Sequence, residues 1–113
     1  MEGTTLVVIE HDRGALAEAS LEALAAARAL GTRVEALTIG ADADGLTDTL
    51  AAHGASAHHR AHHEMLTDYA PEAWGEVVAA AVRSMSPAVL MACGTDRGNE
   101  VLAQAAARLD LPF

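Results

Sequence analysis

Apolar positions along this chain follow two rhythms, short continuous runs and spacings of three and four. Thr5-Leu6-Val7-Val8-Ile9-Glu10 is an unbroken aliphatic, β-branched run. That is the pattern of a strand in mid-sheet with helices over both faces. His11-Asp12-Arg13-Gly14 reads as a polar turn in which Asp12 caps a helix from Ala15 to Leu30. In that helix Leu16, Ala19, Ala23, Leu24, Ala27 and Leu30 share one face. Gly31 fits the left-handed residue that closes a helix. Arg33 to Ile39 alternates polar and apolar residues, so a second, less buried strand is expected there. Asp44 is placed to cap a short helix that carries Leu46 and Leu50 and stops at Gly54.

The second half repeats the alternation. A polar stretch near Ala57–Ala61 takes the place of a third strand, and an edge position tolerates its side chains. Pro71 opens a long helix in which Trp74, Val78, Ala81 and Met85 face inward, and Pro87 ends it. Ala88 to Cys93 reads as a buried fourth strand, Gly94-Thr95-Asp96-Arg97-Gly98-Asn99 as a polar loop, and Asn99 to Leu109 as a helix burying Val101, Leu102, Ala105 and Leu109. Leu111-Pro112-Phe113 resembles the start of a further strand, as if the chain ended where that strand begins or belonged to a longer protein. Strand–helix alternation with short connections predicts one α/β domain over residues 1–113. The expected fold is a three-layer α/β/α sandwich, Rossmann-like, with a mostly parallel sheet in the order 3-2-1-4. Its switch point brings Glu10-His11-Asp12-Arg13-Gly14 beside Gly94-Thr95-Asp96-Arg97-Gly98-Asn99, where ligands of such sheets bind.

Composition narrows the function. The 113 residues carry a formal net charge of -9 with no lysine, which disfavours nucleic acid. No apolar run reaches the ~20 residues of a membrane span. With Met1-Glu2-Gly3 running straight into a strand and no leader pattern, a cytoplasmic protein is expected. Cys93 is the one cysteine and reads as a small core residue.

Three constellations bear on chemistry. His58, His59, His62 and His63, with Glu64 near, have spacings at which imidazoles converge on an ion. No second segment completes a coordination set, so a solvated edge strand is the better reading and no metal is expected. Gly94 to Gly98 offers backbone amides, a hydroxyl and Arg97 near a helix start, which suits a phosphate. It lacks the GxGxxG spacing and a Walker lysine, and contact between domains or subunits suits it better. Glu10, His11 and Asp12 are adjacent and point apart, with no nucleophile beside them, so no catalytic residue is assigned. Candidate binding residues are therefore Glu10, His11, Asp12, Thr95, Asp96, Arg97, Gly98 and Asn99, with AMP or ATP as the ligand class.

Four segments, TLVVIEHDRGALAEASLEALAAARALG, DTLAAHGAS, LTDYAPEAW and LMACGTDRGNEVLAQAAARLDLP, stand in the order and spacing of the electron transfer flavoprotein alpha subunit, whose N-terminal domain this chain resembles. The resemblance implies the adenine-nucleotide-hydrolase-like fold of the universal stress proteins. It also implies pairing with a beta subunit of similar fold, and a part in carrying electrons from flavin dehydrogenases. In that family FAD is bound chiefly by a later C-terminal domain absent from these residues, and the AMP site belongs to the beta subunit. No flavin ligand is therefore carried over to a residue here, and no cofactor is expected within this chain. The family's loop usually has Thr-Ser and Gly-Arg-Asp where this chain has Gly94 to Glu100, and its third strand is apolar where this one carries histidines. The expected role is a non-catalytic scaffold that docks a partner. A small AMP- or ATP-binding protein of universal-stress type and a ligand-free homodimer stay open as alternatives.

Overall fold

The computed structural model describes residues 3–62 and 71–110. Strand β1 (Thr4–Val8) lies at the centre of a four-stranded parallel sheet, between β4 (Arg33–Ile39) and β6 (Val89–Ala92), with β5 (Ala57–Ala61) beyond β4. Counting sheet strands alone, the order is the expected 3-2-1-4. The register pairs Val7 with Ala36 on one side and with Met91 on the other.

Side chains of β1 alternate between two cores because successive residues of a strand face opposite ways. Leu6 and Val8 join Leu37, Ile39, Trp74, Val78, Val101 and Ala105 beneath helices α3 (Pro71–Met85) and α4 (Asp96–Leu109). Val7 and Ile9 join Ala23, Leu24, Ala27, Val34, Ala36 and Leu50 beneath α1 (Glu18–Ala29) and α2 (Thr47–Ala52). These are the three layers. The expected inward face of α3 is present: Trp74 and Val78 are buried, and Ala81 and Met85 pack against the same core. Among the described residues no helix is long and apolar enough to cross a membrane.

Six local expectations are corrected. His11–Asp12 and Ala15–Leu16 form a small antiparallel hairpin, β2 and β3. Its two central residues, Arg13 (φ 51°) and Gly14 (φ 88°), both take positive φ, as a tight hairpin turn requires. Helix α1 therefore starts at Glu18, Leu16 lies outside it, and Ala17 rather than Asp12 holds the N-cap position, without a side-chain bond. Leu30, expected on the buried face, is the exposed end of that helix. Strand β4 is not a half-exposed strand: from Ala36 to Ile39 every residue is buried, because β1 and β5 flank it. Asp44 caps nothing; it lies inside a 3-10 segment (Ala41–Leu46) that leads into α2. Strand β6 is half-buried rather than buried, since among the described residues it pairs on one side only. The helix expected from Asn99 begins at Asp96, so the loop after β6 is shorter than predicted. Leu111-Pro112-Phe113 and the LTDYA part of the LTDYAPEAW segment lie outside the described residues.

Helices α3 and α4 pack side by side where Gly75 meets Gln104. A Cβ at Gly75 would overlap the Gln104 Cβ, and overpacked contacts of this kind cost about 1–3 kcal/mol. Gly75→Ala is therefore expected to lower the unfolding free energy by an amount in that range, seen as a lower urea midpoint at an unchanged m-value.

Candidate functional site

The carboxyl ends of β1 and β6 part at the switch point, because α1 covers one face of the sheet and α4 the other. In this crevice the two expected loops meet. Thr95 takes the N-cap of α4 in extended conformation (φ -86°, ψ 168°), and its Oγ1 accepts the Gly98 N–H at 3.0 Å. The same hydroxyl donates to Glu10 Oε1 at 2.7 Å, across 85 residues of chain. One threonine thus satisfies an orphan helix amide and ties β1 to β6.

The Glu10 main chain is fixed from below. Its N–H donates to Ser20 Oγ at 2.7 Å, and its carbonyl accepts from the Ser20 hydroxyl at 3.1 Å and from the Ala17 N–H at 3.0 Å. Ser20 is fully buried, and its Oγ lies 3.4 Å from Cys93 Sγ, also buried. Sequence reasoning missed Ser20. Its signal was the helical spacing itself, since Ser20, Ala23, Leu24 and Ala27 share the buried face of α1.

His11 points inward. The Gly14 N–H donates to Nδ1 at 3.0 Å, so the ring proton sits on Nε2, which donates to the Ile39 carbonyl at 2.7 Å. The ring is buried 5.7 Å from Trp74, tilted by 33°. Both nitrogens are spent locking the hairpin to β4. Asp12 is exposed on that hairpin and is not drawn into the crevice. Asp96, Arg97, Gly98 and Asn99 form the first turn of α4 rather than a loop.

A shallow, open apolar pocket lies between these elements, lined by Val8, Trp74, Ala92, Cys93 and Val101 together with Glu10 and Arg97. Gly98 also lines it, and a Cβ there would collide with the Cys93 carbonyl. That contact lets the helix start tight against the strand end. Gly94, by contrast, faces open space. The arrangement can hold two strands and a helix in register and offer a shallow apolar cleft beside one carboxylate and one guanidinium.

The histidines occupy the sheet's other edge. His58 bridges Thr38 Oγ1 and Thr47 Oγ1, both at 2.7 Å, His59 Nε2 meets Glu35 Oε1 at 2.5 Å, and His62 Nε2 meets Asp44 Oδ1 at 2.7 Å. The His59 hydrogen bond holds the Glu35 carboxyl below its ordinary value, with Arg33 adding to the effect. Each of these three imidazoles has its own partner, and among the described residues no three metal-ligating side chains converge. His63 and Glu64 lie outside those residues.

Residues 5–113 match the family model of the electron transfer flavoprotein domain. The chain belongs to the electron transfer flavoprotein family. Its resemblance to the alpha subunit has support as well. It is 35% identical over 106 residues to the electron transfer flavoprotein subunit alpha of Mycobacterium tuberculosis, covering 92% of this chain and 33% of that protein. It is 33% identical over 109 residues to the probable mitochondrial electron transfer flavoprotein subunit alpha of Caenorhabditis elegans, covering 96% of this chain and 33% of that one. The chain spans about a third of the length of these curated relatives. The four-stranded α/β fold and the alpha-subunit likeness read from the sequence agree.

Three substitutions separate the parts of this flavoprotein-family crevice. Thr95→Val deletes the cap and the bond to Glu10, with an expected loss of about 1–2 kcal/mol in urea unfolding. Gly98→Ala meets backbone rather than a flexible side chain and should cost about 1–3 kcal/mol, while Gly94→Ala should stay within about 0.5 kcal/mol of wild type.

Proposed function

We propose that this chain is an alpha-subunit-like scaffold domain of an electron transfer flavoprotein, which docks a beta-like subunit and performs no chemistry itself. The observation that carries the reading is how the switch-point groups are used. The Glu10 carboxylate takes the Thr95 hydroxyl, that hydroxyl takes the Gly98 amide, and His11 spends both nitrogens on main-chain atoms. A carboxylate held beside a helix N-terminus takes the favourable electrostatic position that a phosphate would otherwise occupy. The crevice is thus built as an internal fastener. In the whole flavoprotein, FAD would be held by other residues than these, and the role of this domain in electron transfer would be to position the assembly.

Arg97 and Gly98 line the pocket beside this fastener, which gives the AMP- or ATP-binding reading its one specific support. It predicts thermal stabilisation by either nucleotide that Arg97→Ala weakens. The scaffold reading predicts no change in melting temperature with either nucleotide. It further predicts that the chain, co-expressed with a beta subunit of an electron transfer flavoprotein from the same genome, elutes with it in a 1:1 complex on size exclusion. Separate elution of the two, or elution of the chain as a homodimer, would contradict it.

A further inference from the structure

The segment Ala41–Ala52, the 3-10 turn plus α2, carries two fully buried residues, Ala43 and Leu50, yet is built of two six-residue helices without a side-chain N-cap. Helices this short do not hold themselves. Among the described residues, main-chain bonds at its ends run from the Gly40 N–H to the Ala61 carbonyl and from the Ala55 N–H to the Leu50 carbonyl. The hairpin touches it where Gly14 packs on the Asp42 carbonyl. Its side-chain ties to the sheet run through histidines: Thr47 to His58, and Asp44 to His62. His58 reaches through to Thr38, which is fully buried in β4.

We propose that His58 is a pH-sensitive clasp: its neutral imidazole fastens Ala41–Ala52 to the sheet, and acid releases that segment locally, uncovering Leu50. Thr47 Oγ1 donates to the Asp44 carbonyl at 3.4 Å and so accepts from His58 Nδ1. That leaves Nε2 to accept from the fully buried Thr38 hydroxyl, and a second ring proton at Nε2 would replace that acceptor with a donor. The charged groups on the surrounding elements set the sign. Burial disfavours the cation first, Arg60 and His59 on the same strand oppose it, and Asp44 favours it. Asp44 is already engaged by His62, and Glu35 on β4 by His59 and Arg33. Asp42 and Asp48 lie in the segment itself, His53 at its end, and Asp12 and Arg13 on the hairpin beyond. The balance puts His58 below the ordinary imidazole value of 6.5. A group lowered on folding contributes stability that is complete above its unfolded value and is lost as the pH falls through its folded one. The His62–Asp44 pair lies at the surface, and exposed pairs contribute little.

The test is amide hydrogen exchange at about pH 7.5 and about pH 5.5, corrected for intrinsic rates. Wild type should lose protection several-fold across residues 46–52 at the lower pH, with little change at Val7 and Leu24. His58→Gln should show the same protection at both pH values, and His62→Gln should keep the acid response. An equal acid loss in His58→Gln, or none in wild type, would overturn the proposal. So would an NMR titration of His58 in wild type at or above the ordinary imidazole value, a readout that does not depend on the variant folding.

Discussion

Strand β1 has no polar face, and that constraint organises the molecule. Leu6 and Val8 on one side and Val7 on the other are buried, as is Ile9 just past the strand end. A parallel strand of this kind is stable only with a strand on each edge and a helical layer on each face. The chain meets both needs by sending α1 over one face toward β4 and bringing α3 and α4 back over the other, with β6 between them. Where those two paths diverge, a crevice opens at the carboxyl ends of β1 and β6, and the polar residues that end both strands face each other across it.

The chain's own side chains meet across that crevice. Open α/β sheets bind ligands at such a point through free helix amides. Here the first turn of α4 is capped by its own Thr95 and backed by the carboxylate of Glu10, whose main chain rests on buried Ser20. On the proposed scaffold reading, the architecture that offers a phosphate seat in other proteins locks two strands together here.

Much of the fold was legible because its signals are local. Continuous aliphatic runs marked β1, i, i+4 spacing marked α3, and Gly31 and Gly54 stopped helices, both with positive φ. The misreadings have a common cause, which is tertiary placement overriding local pattern. Arg33 to Ile39 alternates in sequence, yet an interior position buries Thr38 against His58. Asp12 looked like a cap, but the positive φ at Arg13 and Gly14 turns the chain back as a hairpin first. Of the site, the meeting of Glu10 with Thr95 was readable from strand order alone. The inward turn of His11 and the support from Ser20 were not, because both depend on partners 28 and 10 residues away. The histidine run gave away its edge position but not its partners, which come from three separate elements.

The claim that carries most weight is that the crevice is occupied by the chain's own side chains. Native mass spectrometry of the purified protein, set against its denatured mass, reads this directly. The account predicts that the native mass of each chain equals the denatured mass, with nothing added. An excess of a few hundred daltons matching AMP, ATP or FAD would contradict it and make the crevice a binding site.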